Sequence, residues 1–211
     1  MTVERLVPTP YGDARLVIRR ANRPIATLVL THGAGGGIDA PDLLRLARSL
    51  PRQDVAVTLL EMPWRVAGKK VAPRPAVLDE CFTAVLDQLR PRTPLVLGGR
   101  SAGARSACRI ARRSGARGVV ALSFPLHPPG RPERSRLPEL VGARVPTLVV
   151  QGGNDTFGTP EEFPPGIDLV AVPGANHSLK VPAAAPLTQD EALGIVFEAT
   201  LEWLVREFGA R

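Results

Sequence analysis

The five residues Gly99-Arg100-Ser101-Ala102-Gly103 constrain this 211-residue chain more than any other stretch. They place a serine midway between two glycines, where an apolar run, Thr93 to Gly98, gives way to a helix-forming one, Ala102 to Arg113. A strand that turns directly into a helix holds its tip residue in a strained backbone. Glycines two residues to either side then let neighbouring backbone approach where a Cβ would collide. The serine hydroxyl is lifted clear of the sheet, with the Ala102 N–H and the first turn of the helix facing the same space. That is the geometry of a nucleophile elbow. A glycine-rich turn with a serine is common, so the weight of the reading falls on the flanking strand and helix.

The rest of the chain supplies a frame for that turn. Ala14 to Arg19 reads as an edge strand, and Ile25 to Leu30 as a β-branched strand covered on both faces. Thr31 to Gly37 is a glycine-rich turn, followed by Asp39 as the expected N-cap of a helix that carries Pro41 in its first turn and runs to Ser49. Val55 to Leu60 repeats the buried-strand pattern, and a helix ending at Gln88 or Leu89 leads to the elbow strand. Beyond the elbow, strands are expected at Gly118 to Leu122, Pro146 to Val150 and Ile167 to Val172. The proline-rich stretch 123–144 has room for one short helix at most. Thr188 and Glu191 form a capping-box pair, and Leu193, Val196, Phe197, Thr200, Leu201, Leu204, Val205 and Phe208 recur at helical spacing in the closing helix. Strands alternating with helices predict an α/β fold with a doubly wound, mainly parallel sheet in one domain, residues 1–211. With so little chain between the strands at 122 and 146, no cap domain is expected.

Composition narrows the function classes. The net charge of +7 raises nucleic acid as a partner, but the 27 basic residues are scattered and only three are lysine. Arg105, Arg109 and Arg112 fall on one stripe of the helix after the elbow, where a solvated face accounts for them. No nucleic-acid role is expected. No apolar run approaches the length of a membrane span or a signal peptide, which gives the expectation of a cytoplasmic protein without membrane contact. Cys81 and Cys108 lie among apolar neighbours in helices and read as buried hydrophobes, so neither a disulfide nor a metal site is expected.

In doubly wound sheets ligands sit beyond the carboxyl ends of the strands, where His32, Ser101, Asp155 and His177 all fall. A serine hydroxyl becomes a competent nucleophile when an imidazole accepts its proton, and a carboxylate fixes the imidazole's tautomer. Asp155, in Gln151-Gly152-Gly153-Asn154-Asp155, follows one strand, and His177, in Gly174-Ala175-Asn176-His177-Ser178, follows the last. Singly, Asp155 reads as an Asx-turn residue and His177 as a loop histidine. Jointly, in the order Ser, Asp, His downstream of an elbow, they read as a catalytic triad. His127, in Pro125-Leu126-His127-Pro128-Pro129, is the rival base or a substrate contact, though its place before Asp155 gives the wrong order. His32 is expected to hold its loop by hydrogen bonds rather than exchange protons.

Gly33 to Gly37 has two readings. In acyl transfer it supplies a backbone N–H, from Ala34 or alternatively Gly35, that joins the Ala102 N–H in an oxyanion hole. As a dinucleotide loop it would pair with Glu61 on the next strand, but Ile38 stands where the third glycine belongs. No cofactor is therefore expected. Arg65, Lys69, Lys70 and Arg74 in the loop after the second central strand offer charge for an anionic substrate, beside the simpler account of a solvated loop.

On these residues the chain resembles the α/β-hydrolases over nearly its whole length. It is similar more narrowly to a small, capless group related to dienelactone hydrolases, which includes a testis-expressed protein and a subunit of the non-specific-lethal acetyltransferase complex. His32-Gly33-Ala34-Gly35, Gly98 to Gly103, Gln151-Gly152 with Asp155, and Asn176-His177-Ser178 carry the wider resemblance, and Pro125 to Gly130 the narrower one. The resemblance implies an α/β-hydrolase fold with a serine nucleophile where dienelactone hydrolases proper use cysteine. The expected activity is hydrolysis of an ester or related acyl bond of a small or exposed substrate. The alternative is a hydrolase-like scaffold, since some members of the group serve larger assemblies.

Overall fold

The computed structural model describes residues 2–209. Eight strands form one sheet: β1 Thr2–Thr9, β2 Gly12–Arg19, β3 Ala26–Thr31, β4 Val55–Glu61, β5 Leu95–Arg100, β6 Gly118–Leu122, β7 Thr147–Gly152 and β8 Asp168–Val172. The helices are α1 Pro41–Ser49, α2 Pro63–Val66, α3 Pro75–Leu89, α4 Ala102–Ile110, α5 Leu137–Val141 and α6 Gln189–Phe208. The spatial strand order is β1-β2-β4-β3-β5-β6-β7-β8, antiparallel at β1/β2 and β2/β4 and parallel from β4 to β8.

The parallel strands are apolar along their length because helices cover both faces. Val29, Leu97, Val119 and Val149 pack with α3, α4 and α5 on one side, while Leu28, Val96, Val120 and Val150 pack with α1 and α6 on the other. The registers Thr31↔Gly99, Arg100↔Leu122, Leu122↔Val150 and Gly152↔Val172 bring the carboxyl ends of β3, β5, β6, β7 and β8 to one edge. That edge carries the loops with Gly33, Ser101, Pro125, Asp155 and His177.

Five expectations from the sequence are corrected. The edge strand is β1, and β2 lies inside it, between β1 and β4. β1 buries only Val7 and carries Glu4, Arg5 and Pro8, the charged and proline-marked composition of a solvent edge, so its apolar pattern is faint. The N-cap of α1 is Ala40 rather than Asp39, with Pro41 supplying the preset first turn. The four-residue α2 falls in the segment after the second central strand that the sequence reads as a loop.

The fourth correction concerns arginines, and the fifth the face of α6. Arg105 and Arg109 are not a solvated stripe. Arg105 grips Glu139 of α5 at 2.5 and 2.8 Å, and Arg109 grips Asp79 of α3 at 2.7 and 2.8 Å and Glu139 at 2.8 Å. The carboxylates come from other helices, so the pattern of α4 alone could not announce them. In α6 the capping box between Thr188 and Glu191 is present, but the buried seam runs through Ala192, Val196, Ala199, Thr200, Trp203 and Leu204. Leu193, Phe197, Leu201 and Phe208 are half-buried and Val205 is exposed.

Candidate active site

Ser101 sits between β5 and α4 with φ 53° and ψ −112°, a left-handed backbone that an L-residue adopts only under constraint. The constraint is close packing beneath it. A Cβ on Gly99 would stand 2.6 Å from the Thr31 carbonyl oxygen, and one on Gly103 would stand 2.7 Å from that of His32. Glycine at both positions lets the turn press against the end of β3. The Ser101 N–H is tied to the Leu122 carbonyl at 3.0 Å, which leaves the side chain pointing off the sheet edge.

His177 Nε2 lies 2.9 Å from Ser101 Oγ, and its Nδ1 lies 2.8 and 3.0 Å from the two oxygens of Asp155. Asp155 is fully buried. It also accepts from Gln151 Nε2 at 2.9 Å and from the Phe157 N–H at 2.8 Å, so its remaining lone pairs are satisfied without water. A carboxylate held this way orients the Nδ1–H tautomer and leaves Nε2 free to accept the hydroxyl proton. The structure thus brings Ser101, Asp155 and His177 together from three different loops.

Three residues that sequence reasoning did not single out brace this chain. The Phe157 ring stacks on His177 with centroids 4.1 Å apart. Gln151 also donates to the Gly158 and Phe124 carbonyls, locking the loop that presents Asp155. Arg100 donates from Nη2 to the His177 carbonyl at 3.1 Å, and its Nε stands 3.7 Å from the carboxylate of buried Asp42. Burial pushes the Asp42 carboxyl upward and Arg100 opposes that shift. Arg100 and Gln151 both belong to the motifs read from the sequence, but their partners are distant in the chain.

His32 is buried between β3 and α2. The Met62 N–H donates to its Nε2 at 3.1 Å, so Nδ1 carries the proton and donates to the Gly33 carbonyl at 2.8 Å. Burial holds the imidazole below its ordinary pKa, consistent with this neutral form. The N–H of the Gly33–Ala34 peptide lies opposite the carbonyl that His32 holds. Ala102 occupies the first position of α4, where a backbone N–H has no partner within its helix.

These groups border an open cleft of about 520 Å³. Ala34, Gly35, Ser101, Ala102 and His177 line it, together with Arg100, Arg105, Pro125 and Arg136. Two expected substrate contacts lie elsewhere. Arg65 belongs to α2 and is outside the lining, and its charge acts on His32. His127 is buried outside the lining, with Nδ1 against the Pro128 carbonyl at 2.9 Å and Nε2 against Glu162 at 2.8 Å. Its nitrogens are both engaged away from Ser101.

The architecture is shared with solved proteins. An α/β serine hydrolase without a lid from Xanthomonas campestris superposes with a TM-score of 0.72 at 17% identity, covering 96% of this chain and 94% of that one. A dienelactone hydrolase from Anabaena variabilis gives a TM-score of 0.72 at 18% identity over 99% and 98% of the two chains. Est1E from Butyrivibrio proteoclasticus gives 0.68 at 16% identity over 96% and 99%. At these identities the likeness is one of fold. A family model described as "Alpha/beta hydrolase domain" matches residues 24–205, from the strand that supports the Gly33 loop to the helix that closes the chain. With its mainly parallel sheet, elbow and lidless edge, the chain belongs to the α/β-hydrolase domain family.

Proposed function

We propose that the protein is a serine hydrolase that cleaves an ester or related acyl bond of a small molecule. The observation that carries the reading is the hydrogen-bonded order Ser101, His177, Asp155 in an open cleft. Ser101 Oγ attacks the acyl carbon while its proton passes to His177 Nε2, and Asp155 stabilises the imidazolium. The oxyanion so formed accepts from the Ala34 and Ala102 N–H groups. The tetrahedral intermediate collapses as the bond to the leaving oxygen breaks, and His177 returns the proton to that oxygen. Water, deprotonated by His177, then attacks the acyl-enzyme and releases the acid and free Ser101.

A fluorophosphonate probe tests this directly. The expected result is a covalent adduct at Ser101 that is absent in Ser101→Ala. Absence of labelling in folded protein would reject the enzyme and favour the alternative, a hydrolase-like scaffold. The proposed resemblance to the narrower capless group rests on the sequence of Pro125 to Gly130 alone; in the fold Pro125 lines the cleft and His127 anchors the segment.

A further inference from the structure

Resting on that reading, we infer that the substrate carries a carboxylate on its acyl side, bound by Arg136 with help from Arg105. The cleft around Ser101 is lined by three arginines, Arg100, Arg105 and Arg136, and by no aspartate or glutamate. Their charges are unequally matched. Arg100 faces Asp42, and Arg105 shares Glu139 with Arg109. Arg136 has no carboxylate partner among the described residues and uses Nη1 to donate to the Pro125 carbonyl at 3.2 Å. The rest of its donor fork is available to a ligand.

Its setting makes an anion the natural complement. Arg136 is half-buried, and both burial and the charge of Arg105 lower its pKa, the mark of a cation facing a cation. Glu139, which favours the charge, is already held by three arginine N–H contacts from Arg105 and Arg109. A carboxylate entering the cleft would relieve that repulsion and gain charge-assisted hydrogen bonds where water is partly excluded.

Topology assigns the side. The leaving oxygen must reach His177 Nε2, and the His177 loop packs through Ala175 and Leu179 on the α1/α6 face of the sheet. Arg105 and Arg136 belong to α4 and the residues just before α5, on the opposite face. Across the tetrahedral carbon, the acyl chain therefore points toward the arginines. Arg105 lies one helical turn beyond Ser101, a rise of about 6 Å, which suits an acyl chain of about six carbons in all, with about four methylenes between ester carbonyl and carboxylate.

The test compares the 4-methylumbelliferyl monoester of adipic acid with the neutral hexanoate ester. The expected kcat/KM ratio favours the adipate by about tenfold or more at low salt and shrinks as salt is raised. Arg136→Gln should bring that ratio near one, and Arg136→Lys should retain part of it. A ratio near one in the native protein, or one that Arg136→Gln leaves intact, overturns the inference. A second readout is independent of turnover: monomethyl adipate should bind Ser101→Ala in calorimetry and not bind Ser101→Ala with Arg136→Gln. Binding without hydrolysis or labelling would reject the serine hydrolase and keep the anion site, whereas hydrolysis of both esters without preference or binding rejects the anion site alone.

Discussion

The imidazole of His32 holds the carbonyl of Gly33 at 2.8 Å through Nδ1, while the Met62 N–H fixes the ring from behind. Because a trans peptide sets its N–H opposite its carbonyl, this contact aims the Ala34 N–H proposed for the oxyanion. His32→Ala should therefore lower kcat for an activated ester by up to about 10²-fold, short of what removing a donor outright costs, and change KM little. Steady-state kinetics with a thermal melt check it. A variant that folds and keeps native kcat would reduce His32 to a packing residue.

The choice of base is the next prediction. His177→Ala should be nearly as damaging as Ser101→Ala, on the order of 10⁴-fold or more in kcat, because linked catalytic groups act as a unit. Asp155→Asn should be severe with the fold intact, since an amide can stabilise the wrong tautomer. His127→Ala should stay within about tenfold, because His127 is bound to Pro128 and Glu162 rather than facing Ser101. A dead His127→Ala beside an active His177→Ala would overturn the assignment.

Much of this site was legible because its pieces end strands. Each of Ser101, Asp155 and His177 follows a recognisable apolar run, and the strand order of a doubly wound sheet brings those ends together without further information. What the chain could not announce were partners chosen by packing. The Arg105–Glu139 and Arg109–Asp79 pairs join helices remote in sequence, and the amphipathic pattern of α4 is the same whether its arginines meet water or carboxylates. Arg136 was hidden for the same reason: a basic residue in a loop of prolines shows its place in the cleft only once α5 is folded against α4.

Those pairs carry a stability prediction. Asp79 is buried and held by Ser106 at 2.6 Å as well as by Arg109. Arg109→Met should cost about 3–5 kcal/mol by leaving that carboxylate without its cation, and adding Asp79→Leu should recover part of the loss. Urea melts of the single and double variants measure both. A double variant worse by the sum of two independent losses would mean that the pair is not coupled.

The contact between His127 and Glu162 makes stability depend on pH. Hydrogen bonds from His127 to the Pro128 carbonyl and to Glu162 raise its pKa, and the Thr159 N–H, followed by His127, lowers that of Glu162. A raised histidine contributes stability that is full below its unfolded pKa and is lost as pH climbs through the folded one. A lowered carboxylate contributes above its unfolded pKa and loses that contribution as pH falls through the folded one. The clamp should be strongest between the two, at about pH 6. The Tm gap between the native protein and His127→Gln should be widest there and narrower at about pH 9; an unchanged gap would mean that His127 stays neutral.

The closing helix α6 allows a ranking of side chains that its periodicity alone would place wrongly. Trp203 is fully buried, and its ring lies where a Cβ on Gly118 of β6 would come within 2.7 Å of Cη2. Removing it leaves a large void against a strand that cannot move inward, so Trp203→Ala should cost about 3–5 kcal/mol. Leu201 is on the face that a simple helical count selects, yet it is half-buried, and Leu201→Ala should cost less than Leu204→Ala, whose side chain is fully covered. Thr188 accepts from the Glu191 N–H at 3.2 Å and closes the capping box, and Thr188→Ala should cost about 1 kcal/mol. Denaturant melts should therefore order the losses Trp203, Leu204, then Leu201 and Thr188. A loss at Leu201 equal to that at Trp203 would mean that α6 is rotated on the sheet, with the face chosen by periodicity turned inward.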